Sequence, residues 1–183
     1  MREFFQKHGL PFLLIVAAFA LAALLGDVLL HELGLGWIGR YLGIPGVLLI
    51  ALSLVYSLRK RGRSAKGATP ALLRWHEWAA WLGSLLVLIH SGVHFNAVLP
   101  WLATFAMGVN VISGLVGKFL LKHAREHLLP DAAAGDGRQE TLPGAMALDA
   151  ISGWRRVHIP VSVAFSALAL GHIFSIFLFW GWR

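Results

Sequence analysis

Five apolar stretches dominate the sequence, running about 10–30, 42–58, 75–95, 99–121 and 157–180. A helix that crosses a hydrocarbon core needs about 20 largely apolar residues, because lipid offers no partner to an unsatisfied backbone group. Five such segments consume most of a 183-residue chain. The composition agrees, with 57% hydrophobic and only 14% charged residues, where a soluble domain carries about a quarter charged residues. The expected fold is an all-α membrane protein, a five-helix bundle forming a single domain over residues 1–183, with no room for a separate soluble catalytic domain. No cysteine is present, which excludes disulfides, thiolate metal sites and cysteine nucleophiles. The segment up to Leu25 has the basic start, apolar run and small residues of a signal peptide, but it reads as a retained span.

The net charge of +7 is a topology signal before it is a nucleic-acid signal, and no nucleic-acid partner is expected. With five spans and the N-terminus inside, 14 of the 16 Lys and Arg residues are cytoplasmic, and only Arg40 and Arg183 face out. The opposite orientation reverses that split, so the expectation is N-in, C-out. Trp75, Trp78 and Trp154 then mark the inner interface, and Trp37, Trp101, Trp180 and Trp182 the outer one. Membrane lipid is the surrounding partner, and a bacterial inner membrane suits so compact a chain. The inner connection 122–156 is the only long one, and its stretch 131–144, rich in Ala, Gly and acidic residues, reads as a mobile loop.

Nine histidines are many for this length, and four of them form a pattern. His76 and His90 lie 14 apart on the third span, as do His158 and His172 on the fifth. Fourteen steps of about 100° end about 40° short of four full turns, so each pair projects from one helix face, about 21 Å apart along the axis. Both helices run from inside to outside, which makes His76 level with His158 and His90 level with His172. Two level histidine pairs on co-directional helices is the geometry for two stacked haems between the third and fifth spans, each iron held by one imidazole from each helix. With both axial positions filled by His, the remaining chemistry is one-electron transfer. The competing explanation, histidines packed and hydrogen-bonded in the core, suits a single His better than four at equal spacing.

Other residues fit the same arrangement. Gly83, midway between His76 and His90, would let a porphyrin approach the helix, although it equally suits helix packing. Phe165, midway between His158 and His172, would place a ring between the two haems, or serve as ordinary filler. Arg74, Arg155 and Arg156 are placed for at least one of them to pair with inner haem propionates, while also satisfying the positive-inside rule. His94 lies 18 residues from His76 and in phase with it. It is the alternative outer ligand, but its height of about 27 Å matches His172 less well than the 21 Å of His90. His94 otherwise sits near propionates or a quinone head group.

The segments Trp75-His76-Glu77-Trp78 through His90, and Gly153-Trp154-Arg155-Arg156-Val157-His158 through His172, resemble the haem-binding spans of the ferric reductase-like transmembrane superfamily. That group includes NADPH oxidases, ferric reductases and the membrane haem subunit of the bacterial methionine sulfoxide reductase system. The resemblance covers about residues 75–180, and the paired spacing is its specific part. It implies a b-type cytochrome with two haem b groups and an aromatic residue between them. The oxidases and ferric reductases continue into a sixth span and a flavin/nucleotide domain, so the expectation here is an electron-transfer subunit without a catalytic domain of its own. Its partners would be an iron–sulfur, flavin or cytochrome c protein. A quinol-oxidising cytochrome b subunit is similar in size and is the alternative, with menaquinol or ubiquinol as donor. A haem-free transporter or assembly protein is the third class.

Three further groups are weaker. His123-Ala124-Arg125-Glu126-His127 matches a zinc-protease pattern, but it sits where the fourth span leaves the membrane, with no evident third ligand. Asp27, His31 and Glu32 at the outer end of the first span could handle protons beside a quinol, or simply cap the interface. Gly108, Ser113, Gly114 and Gly117 read as close helix packing, and the partner of Asn110 is not identified by the sequence.

Overall fold

The computed structural model describes residues 10–61, 70–92, 97–127 and 142–179. Among them the secondary structure is helical throughout: α1 Leu10–Glu32, α2 Gly36–Tyr41, α3 Gly43–Arg61, α4 Pro70–Ser91, α5 Val98–His127 and α6 Leu142–Phe179. Proline stands within the first three described positions of each long helix, at Pro11, Pro45, Pro70, Pro100 and Pro143. It is tolerated there because the first turn has no intrahelical use for an N–H. Pro160 is the exception, lying inside α6.

Four segments among the described residues are long and apolar enough to cross a membrane: Leu10–Glu32, Gly36–Arg59, Val98–Phe119 and Ile151–Phe179. The third expected span falls on α4, whose 22 residues suffice in length. Arg74, Glu77, two histidines and three tryptophans lie along it. The pattern of burial is that of a membrane protein. The buried hydrophobic residues are mostly small (Ala23, Ala79, Ala103) with Met107, Leu115 and Phe165, whereas Leu14, Leu25, Leu29, Phe105, Leu170 and Phe177 are exposed. Leucine outside and alanine inside inverts the order found in water, and it is the order expected when lipid is the solvent and helices meet through small residues.

The helices fall into two compact units, residues 1–96 and 97–183. In the first, α1 ends in a left-handed turn at Gly34, with φ +68°. Gly34 N–H bonds the His31 carbonyl at 3.1 Å, and Leu35 N–H reaches the Leu30 carbonyl at 2.8 Å. This pairing closes a helix C-terminus at glycine because no Cβ is present to oppose the left-handed conformation. Between the first two expected spans the chain re-enters a short helix, α2, immediately after this turn. The antiparallel pair α3–α4 is the main contact of this unit. A methyl group at Gly46 would come within 2.7 Å of Val87 and 2.9 Å of the Gly83 carbonyl, and one at Gly83 within 2.7 Å of the Gly46 carbonyl. α1 runs parallel to α4, with Phe19 edge-on to Trp81 at 5.0 Å and Gly26 against Ile89.

The second unit is the antiparallel pair α5–α6. Gly117 opens the space for the Trp154 indole. Ser162 Oγ donates to Asn110 Oδ1 at 2.8 Å, which supplies Asn110 with the partner the sequence left open. Gly171 lies against Leu99 at 3.7 Å. The same register brings the buried Met107 and Phe165 level with each other. No buried side-chain nitrogen or oxygen among the described residues lacks a hydrogen-bond partner.

Replacing Gly46 with Val should therefore force α3 from α4 and cost about 1–3 kcal/mol, the usual range for overpacking. Gly114→Ala, where a Cβ meets nothing within 4 Å, should change stability by less than about 0.5 kcal/mol or raise it slightly. Thermal unfolding of the detergent-solubilised protein, followed by circular dichroism, separates the two.

Candidate functional site

The structure carries His76 and His90 on one continuous helix, α4, and His158 and His172 on another, α6. All four side chains are half-buried. The expected 14-residue spacing is therefore a spacing along an uninterrupted helix in both cases.

Each of the first three rings meets a polar atom on an earlier helix. His76 Nδ1 donates to the main-chain carbonyl of Ser53 on α3 at 2.8 Å, and its ring is tilted against Tyr56, with centroids 5.4 Å apart. His90 Nδ1 donates to the carbonyl of Gly39 on α2 at 3.2 Å. The edge of its ring covers Gly43, where an added methyl would come within 2.7 Å of Cδ2 and 2.9 Å of Nε2. His158 Nδ1 lies 3.1 Å from the hydroxyl of Ser113 on α5, and its ring stacks on Trp154 at 5.0 Å. The Trp154 indole N–H in turn donates to the Ser113 carbonyl at 2.7 Å.

The chemistry of these contacts is specific. A carbonyl oxygen only accepts, so Nδ1 of His76 and of His90 carries the proton. In a neutral imidazole the lone pair is then on Nε2. A histidine that ligates a metal through Nε2 ordinarily has Nδ1–H held in this way, which fixes the tautomer and raises ligand basicity. The residues present fit that donor role. No three His, Cys, Asp or Glu side chains are grouped to share a metal ion among the described residues. A haem iron held by two imidazoles takes only two protein ligands, fewer than such a group.

The remaining expected residues are placed as follows. Gly83 is buried with its Cα face against Gly46 and Ile50 of α3; the room left by its missing side chain is filled by that helix, the packing role the sequence also allowed. Phe165 is buried. Arg74, Arg155 and Arg156 are exposed, two or three positions ahead of His76 and His158. His94 lies outside the described residues. α5 extends through His123 to His127. His31 pairs within its own helix: its Nδ1 meets the Asp27 carbonyl at 2.9 Å and Asp27 Oδ1 at 3.3 Å.

Sequence reasoning missed Ser53, Gly39, Gly43 and Trp154 as neighbours of the histidines, and read Ser113 only as packing. The one signal that pointed toward them was the small residues recurring on α3 and α5. Comparison of the chain with models of protein families, with curated proteins and with solved structures finds no match. The functional reading accordingly stands on the histidines and their partners.

Gly43→Ala should displace the His90 ring while leaving His76 in place. In ring-nitrogen NMR spectra of the full-length protein, the His90 signals should shift and those of His76 should not.

Proposed function

We propose that the chain is a dihaem b-type cytochrome, the membrane electron-transfer subunit of a larger redox complex. The observation that supports it most is the repeated spacing of His76 and His90 on α4 and of His158 and His172 on α6, with three of the four rings held at Nδ1 by an earlier helix. In this reading α4 also crosses the membrane, as the third of five spans, the N-terminus is inside and the C-terminus outside, and the membrane is the cytoplasmic one. His76 and His158 hold the inner haem b; His90 and His172 hold the outer.

Each haem would be held by one imidazole from α4 and one from α6, and would supply a one-electron couple. The chain's own residues bind and orient. The Ser53 and Gly39 carbonyls fix the Nδ1–H tautomers, so Nε2 of His76 and His90 is the ligating nitrogen. Arg74, Arg155 and Arg156 offer charge to propionates, in the planar two-donor form that suits carboxylates. The leucine-rich exteriors face lipid and keep water from the helix contacts. Donor and acceptor are separate redox proteins with iron–sulfur, flavin or cytochrome c centres, and any enzymatic activity belongs to the complex.

A second reading, a subunit that itself oxidises quinol, is favoured by Asp27 and His31. That imidazole is 55% exposed beside a carboxylate that is 17% exposed, a pair able to take a proton and release it to water.

A reduced-minus-oxidised spectrum with haem counted by pyridine haemochrome should give two b haems per chain. Alanine at His76, His90, His158 or His172 should each remove at least one haem, and His94→Ala should retain both. A protein without a Soret band, made with ample haem, overturns the proposal in favour of a transporter or assembly role. For the second reading, quinone analogues should inhibit haem reduction, and Asp27→Asn should slow it at least tenfold without loss of haem.

A further inference from the structure

Serine hydroxyls in these helices have a common habit. Ser53, Ser91, Ser166 and Ser175 each donate to a carbonyl three or four residues back on their own helix, at 2.7–3.0 Å. This is the usual way for a helical serine to satisfy itself without a neighbour. Ser113 departs from it. Its hydroxyl meets an imidazole on another helix, while its carbonyl takes the Trp154 indole N–H and that indole stacks on the same imidazole. Gly117, one turn further along α5, leaves the space the indole fills. The result is a closed set of three residues in which the ring of His158 is gripped at its edge by Ser113 and on its face by Trp154.

The partner type separates His158 from the other two rings. A main-chain carbonyl can only accept, and so dictates Nδ1–H at His76 and His90; a hydroxyl both donates and accepts. We propose that Ser113 is a positioning residue for His158, orienting its imidazole jointly with Trp154. This deepens the dihaem reading and rests on it for its consequence. With haem bound, Ser113 Oγ would accept from Nδ1–H of His158 and tune the basicity of its imidazole. The contact itself belongs to the polypeptide with or without haem.

The test uses the full-length chain in two arms. In protein produced without haem, ring-nitrogen NMR at fixed pH should show one settled Nδ1–H tautomer for His76 and for His90. Ser113→Ala should change the His158 signals alone, and Ser113→Thr, which keeps the hydroxyl, should restore them. In haem-loaded protein, Ser113→Ala should weaken one of the two haem sites about 10–100-fold, the range seen when a ligand's outer partner is removed. It should also raise the midpoint potential of that haem, with Ser113→Thr close to wild type in both. His158 signals unaffected by Ser113→Ala overturn the proposal. So does an equal loss in the Ala and Thr variants, which would mark a packing role. If the wild-type chain takes up no haem, the dihaem reading falls, while the first arm still decides whether Ser113 positions His158.

Discussion

Two helices in hydrocarbon gain little by hiding leucine from lipid, since lipid is as apolar as leucine; what holds them is close approach of their backbones and the few polar contacts that approach permits. In this protein the approach is set by Gly43, Gly46 and Ser53 on α3 against His90, Gly83 and His76 on α4, and by Asn110, Ser113 and Gly117 on α5 against Ser162 and Trp154 on α6. Remove the closeness and the rest goes with it. The Ser53 carbonyl reaches His76 only because α3 lies against α4, and Trp154 reaches Ser113 only because Gly117 has no side chain. The leucines that would form the core of a soluble protein are exposed and free to meet lipid.

The same contacts also carry the chemistry. A half-buried imidazole in a low-dielectric setting must satisfy its N–H, and the nearest acceptors are the carbonyls and hydroxyls that small residues uncover. Packing and the orientation of the histidines are therefore two results of one set of residues. A glycine that admits the neighbouring helix also admits the acceptor that decides which nitrogen of the histidine carries the proton.

Much of this was legible in the chain. Apolar length and scarce charge pointed to helices that cross a membrane, and the positions of α1, α3, α5 and α6 follow from them. The identical spacing of His76–His90 and His158–His172 was visible, and both pairs do lie on continuous helices. What could not be read depends on register between helices, which a single sequence does not encode locally. Gly83 was open to a porphyrin or to a helix, and α3 occupies the space. Residues 36–41, with two glycines, have poor helix propensity; they form α2 because Leu30 supports Gly39 and the Gly39 carbonyl serves His90. Ser53 and Ser113 look alike in sequence, but one offers its carbonyl and the other its hydroxyl. That distinction appears only when the facing ring is in place.

Pro160 bears on the symmetry between α4 and α6. Lacking an N–H, it leaves the Arg156 carbonyl without its helical donor and opens the ladder in the very turn that holds His158. The straight-rod arithmetic that relates His76 to His90 thus applies to α4 directly, whereas in α6 the same fourteen residues span a weakened joint. Equal spacing in sequence gives two unequal mechanical elements. α4 holds the angle between its histidines through an unbroken ladder, whereas α6 lacks one rung beside His158, so the two helices resist bending unequally.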